Sequence, residues 1–223
     1  DLATETDSVL VSLGSEPGST HRVSEAAATV RRNAPSRAVM DFPGDASATD
    51  VIGALSDDDD VHLTEVICVI DAPRFFQDVG AEDYIRVDDS ATPFFVAAAL
   101  RTVQQVEHAS LIVLTDWREL STHDLSLLMS CLSHLAPRAR LQLHRGIAVP
   151  QTAEFDERTH QPGWAQILSE DFAPHMTDPR VTAFRYENLH PFHPDRVRLL
   201  LEHGFGADTF GTILRSAGFC RFA

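Results

Sequence analysis

The chain has 223 residues, a 43% hydrophobic share and a mean hydropathy of −0.11, which suits a globular protein with a real core. Its formal net charge is −15, a field that repels phosphate backbones and anionic headgroups and so excludes DNA binding or membrane-surface binding as a main activity. No apolar run approaches the roughly 20 residues a spanning helix needs. The first residues are acidic and polar rather than leader-like, and Cys68, Cys131 and Cys220 are far apart with no CxxC pair. The reading is a cytoplasmic protein, with the two cysteines in apolar runs as buried structural thiols.

Taken in chain order, residues 8–13 (SVLVSL) predict a short buried strand, and the Gly- and Pro-rich turn at 14–20 leads into a helix over 21–32. A second strand over 38–42 stops at Pro43 and Gly44, and a helix over 47–55 ends before the acidic run 57–60. That run lacks the spacing and glycine of a calcium loop and reads as solvated. Residues 63–70 (LTEVICVI) predict a strongly apolar third strand, followed by a short helix carrying Phe75 and Phe76. Residues 80–92 read as a polar loop. Residues 93–108 predict the clearest helix, with Pro93 at its first position. Residues 110–114 predict another strand, 121–135 a helix capped by Ser121 or Thr122, and 140–143 a last strand.

Strands alternating with helices imply βαβ units, and near-continuous apolar strands imply a parallel sheet covered on both faces. The fold class is therefore α/β: a mainly parallel sheet with flanking helices over residues 1–148. Residues 149–179 read as a linker, with one amphipathic patch at Trp164, Ile167 and Leu168. From residue 180 the pattern strand, helix, strand, strand predicts a small α+β domain.

The C-terminal segment carries the most specific motifs. Residues 190–197 run HPFHPDRV and residues 211–223 run GTILRSAGFCRFA. These resemble the "RPFHPxR" and "GvlRsKGffWlA" stretches of the CobW-like P-loop GTPases, a family of metallochaperones. The segment CVIDA with Phe75 is similar to the family's "vvDAxxF", residues 105–114 to "QiefADvivLNK", and residues 135–140 to "LNPrA". Asp41 to Gly44 falls where the family has its "ETSG" turn. The resemblance covers roughly residues 37–223 and implies a P-loop NTPase-like domain followed by a CobW C-terminal-type domain.

The same comparison exposes departures. Phosphoryl transfer on this scaffold needs a lysine at the β- and γ-phosphates. The sequence contains no lysine: all eighteen basic residues are arginine. If Gly18, Ser19 and Thr20 stand where the family has Gly-Lys-Thr, Ser19 leaves the γ-phosphate charge unneutralised, a loss of about a hundred-fold or more in rate. The turn from Gly14 is thus either a structural turn or a degenerate anion cradle. Guanine reading by "NKxD" aligns with Thr115, Asp116, Trp117 and Arg118, with no residue type matched in place. The degenerate nucleotide set is Gly14, Gly18, Ser19, Thr20, Asp41, Gly44 and Asp116. The family's "GCxCC" metal stretch is missing, read as deleted or as omitted from this sequence, and the C-terminal domain reads as truncated at Ala223.

His160 and His175 are the zinc-ligand candidates, with loose spacing. His190 and His193 interleave with prolines and suit a turn into a helix better than a metal. Tyr186, His190, Phe192, His193, Arg196, Arg215 and Phe219 are the candidate partner-binding residues, with Arg215 and the aromatics equally suited to packing a small sheet. No Ser-His-Asp order or GxSxG elbow occurs. The resemblance implies zinc homeostasis. The residues themselves imply a non-hydrolytic adaptor or regulatory protein without GTP or magnesium chemistry, and no catalytic residue is assigned. The arginine-rich, lysine-free style is similar to actinobacterial members associated with zinc scarcity and hibernating ribosomes, which points to a ribosome or a ribosome-associated factor as partner. The alternative is a GTP-dependent zinc or cobalt chaperone whose cysteine motif lies outside this sequence.

Overall fold

The computed structural model describes residues 8–12, 19–44, 46–86, 94–146, 155–156, 159–203 and 211–223. The first parallel pair is β1 (Ser8–Ser12) and β2 (Arg37–Asp41), in register from Ser8 with Arg37 to Ser12 with Asp41. The helix α1 (Ser19–Asn33) makes the crossover, as a parallel pair requires. The helix α2 (Ala48–Ser56) follows, started by Ser47, whose hydroxyl accepts from the Asp50 amide at 3.4 Å. Val23, Ala27, Val51 and Leu55 bury together against Met40 and Phe42 as a small core.

The main sheet is parallel, in the order β3 (Ile67–Asp71), β6 (Leu111–Thr115), β7 (Arg140–Leu143). Between β3 and β6 come the short helix α3 (Phe75–Val79), a hairpin of β4 (Tyr84–Arg86) and β5 (Phe95–Ala97), and the helix α4 (Ala98–Glu107). The helix α5 (Thr122–Leu135) crosses from β6 to β7. Its cap is Ser121, which accepts from the Asp124 amide at 3.1 Å. Ile112 and Leu114 of β6, Val103 and Val106 of α4, and Leu128 and Leu132 of α5 share the large core with Phe75. The molecule is mixed α/β with parallel sheets and flanking helices, and no helix among the described residues is long and apolar enough to cross a membrane.

Four expectations are corrected. The third strand begins at Ile67 rather than residue 63; upstream of it, Thr64 O accepts from the Phe155 amide and the Val66 N–H donates to Ser110 Oγ instead of to a strand carbonyl. The predicted helix over 93–108 starts at Ala98, because Phe95–Ala97 pairs with Tyr84–Arg86, inside what read as a polar loop. Pro93 lies outside the described residues. Among the described residues the strands do not form one layer covered on both faces. Among the described residues β1 and β2 make no ladder with β3, and Ile67 and Val69 of β3 are 46% and 66% exposed. Finally, the C-terminal segment has the helix α7 (Pro194–His203), but its only described strand-like contact is a bridge between Phe192 and Phe222.

The segment before it is packed. The helix α6 (Gly163–Leu168) lies against the end of α5, where a Cβ on Gly163 would meet the His134 carbonyl oxygen at 1.9 Å, so only glycine fits. Asp178 is buried and takes two hydrogen bonds from the Arg180 guanidinium and one from Ser126 Oγ on α5.

Candidate functional site

In open α/β sheets, ligands bind outside the carboxyl ends of the strands. At the carboxyl ends of β6 and β7 the structure forms a cleft of about 590 Å³, lined by Thr115, Asp116, Arg118, Glu119, His144 and Arg145. Its frame is local and well bonded. Thr115 Oγ1 donates to Ile70 O of β3 at 3.2 Å. Asp116 then turns the chain with φ +49°, a left-handed conformation that aspartate tolerates better than most residues. A single 3-10 turn, Trp117–Glu119, follows. The Trp117 Nε1–H donates to His144 O at 2.9 Å, fastening that turn to the end of β7. The Arg118 guanidinium lies 4.6 Å from the Trp117 ring centroid, a cation–π contact.

Of the described members of the degenerate nucleotide set, Asp116 alone lines this cleft. Asp41 ends β2, where it accepts from Ser12 Oγ at 3.1 Å. Gly44 O accepts from Gln105 Nε2 of α4 at 2.6 Å. Ser19 and Thr20 open α1. Gly14 and Gly18 lie outside the described residues. Asp41 and Asp116 thus end strands of two separate sheets. The sequence reading missed Arg118, Glu119, His144 and Arg145 as a group, although both strands that position them were legible and the strand-end rule would have found them.

His160 and His175 have separate hydrogen-bond partners. His160 Nδ1 lies 3.0 Å from Asp156 O and 3.3 Å from the Asp156 amide nitrogen, and the ring stacks on Phe155. His175 Nδ1–H donates to Pro137 O at 3.1 Å beside Ser133 Oγ. Each ring anchors its own segment, and among the described residues no group of three His, Cys, Asp or Glu side chains comes together around a metal. Burial pushes the Cys68 thiol up to about 12 and the Cys131 thiol to about 11, so both stay protonated and unreactive.

The candidate partner-binding residues divide. Tyr186 and Phe219 are 68% and 89% exposed, and His190, His193 and Arg196 also face solvent. Phe192 is half-buried against Tyr186, with ring centroids 6.3 Å apart. Arg215 points inward instead. Its Nε and Nη2 donate to the two carboxylate oxygens of Glu107 at 2.7 and 3.3 Å, and its guanidinium sits 6.0 Å from the Trp164 ring. Glu107 is itself buried at the end of α4. Burial raises its pKa, while the hydrogen bonds and charge of Arg215 oppose that rise. Arg180 does the reverse for Asp178: its guanidinium and backbone N–H hold that carboxylate well below the usual range.

No protein-family model, curated protein or solved structure matches the chain.

Proposed function

We propose that the chain is a CobW-like scaffold with degenerate nucleotide motifs, acting as a non-hydrolytic adaptor in zinc homeostasis through its C-terminal segment. One observation carries the binding part of this reading. Between residues 184 and 222, Phe184, Tyr186, Leu189, Leu201, Phe219 and Phe222 are all more than half exposed. Monomeric proteins seldom display so many large apolar groups in one short segment unless another surface covers them. Charge supports a macromolecular partner. Residues 180–223 carry six arginines and four carboxylates, in a chain with 18 basic and 33 acidic side chains. An arginine- and aromatic-rich segment on an otherwise acidic body suits an acidic or phosphate-bearing surface such as a ribosome or a factor bound to it.

The P-loop-like domain and the zinc connection rest on the motif resemblance. The absence of lysine argues against hydrolysis, because no side chain in the sequence supplies the usual ammonium at the transferring phosphate. Two measurements test the reading. Titration with a GTP analogue and magnesium is expected to show no micromolar binding, and GTP turnover to stay at the solution rate. Affinity capture on ribosomes is expected to retain the protein. Micromolar nucleotide affinity with turnover would replace the adaptor by the GTP-dependent chaperone.

A further inference from the structure

Four charged side chains line the cleft at the ends of β6 and β7: Asp116 and Glu119 of one sign, Arg118 and Arg145 of the other. None of the four forms an ion pair among the described residues. Eight other arginines among the described residues hold carboxylates. Stacking on Trp117 positions the Arg118 guanidinium without using its N–H donors, which stay available for a planar oxyanion. His144 and Arg145 are held beside it by the Trp117 to His144 hydrogen bond.

We propose that this cleft binds a small zwitterion, an amino acid or a dipeptide, with its carboxylate on Arg118 and Arg145 and its ammonium on Asp116 and Glu119. A simple anion would satisfy the guanidiniums but meet the two carboxylates, and a simple cation would do the converse. A ligand bearing both signs meets both pairs with a charge of the opposite sign. A polyanion such as a nucleoside triphosphate faces in addition the field of a chain with net charge −15. The volume of about 590 Å³ lies within the usual span for small-molecule sites, roughly 300–1,000 Å³, and leaves room for a dipeptide.

Calorimetric titration of the whole chain with the standard amino acids and with glycylglycine tests this. Saturable binding by at least one of them is expected. Acetylating the amine or amidating the carboxylate of that ligand should weaken binding about tenfold each, as should Arg118→Gln or Asp116→Asn, since each removes a charge-assisted hydrogen bond. A free amino acid that outbinds glycylglycine assigns the site to single residues, and the reverse assigns it to peptides. All four side chains are exposed, so the variants are expected to keep the parent unfolding midpoint, which the same samples report. The proposal is overturned by the absence of saturable binding from any zwitterion, by blocked analogues that bind as well as the parent, or by GTP or pyrophosphate binding through Arg118 where zwitterions do not.

Discussion

In the three-stranded sheet and its helices, Leu111, Ile112, Leu114, Leu128 and Leu132 are wholly buried, whereas in the C-terminal segment Phe184, Leu189 and Phe219 are 85% exposed or more. Residues of the same hydrophobic class thus do different work in the two regions. Burying one such side chain stabilises a fold by about 1.5–3 kcal/mol, so folding energy is concentrated in the body. The C-terminal segment is fastened at points: Val181 and Leu214 against the large core, Arg180 on Asp178, and Arg215 on Glu107. A segment built this way adds little stability of its own and leaves its apolar groups available to a partner.

That contrast can be broken most strongly in the core. Leu132→Ala is expected to cost about 2–5 kcal/mol in urea unfolding, while Phe219→Ala should change stability by less than about 0.5 kcal/mol. Comparable losses for the two would dissolve the distinction. Next comes the tether between the regions. Arg215→Leu leaves a buried Glu107 without its cation, and a loss of about 3 kcal/mol is expected in the same assay. The pH dependence has a definite sign. Glu107 has a folded pKa above its unfolded value, so it keeps its proton longer when folded, and stability falls as pH rises from the unfolded pKa through the folded one. Without Arg215 the folded pKa climbs further, so the variant should recover part of its loss on acidification, and Glu107→Gln should abolish that recovery.

Asp178 gives the opposite dependence. Its folded pKa is depressed, so its contribution is present above the unfolded value near 3.9 and disappears as pH falls below it. Asp178→Asn should therefore be less stable than the parent at neutral pH and converge with it in acid, followed by thermal unfolding at several pH values. The smallest effect concerns the thiols. Iodoacetamide at pH 8 should label exposed Cys220 first and leave Cys68 and Cys131 unmodified in the folded chain, as read by mass spectrometry.

Local signals carried much of the body. The strand over 140–143 has the expected bounds, the strand at 110–114 is displaced by one residue, and Ser121 is the cap of the helix that follows it. These elements announce themselves by an apolar run, a polar–apolar alternation and a capping hydroxyl, which act within a few residues. The hairpin of β4 and β5 was illegible because helical spacing after residue 93 masks its pairing with a three-residue strand set in a polar stretch. The Arg215 to Glu107 pair spans 108 positions and leaves no local trace. The cleft was half legible: Asp116 stood out as a motif remnant, but its neighbours acquire meaning only once two strand ends lie side by side. The C-terminal motifs predicted strands that the described residues reduce to a single bridge.

The adaptor reading is tested most directly by hydrogen–deuterium exchange of the whole chain with and without ribosomes. The account predicts added protection confined to residues 184–222, with β6, α5 and β7 unchanged. Protection in the body alone, or none anywhere, would contradict it.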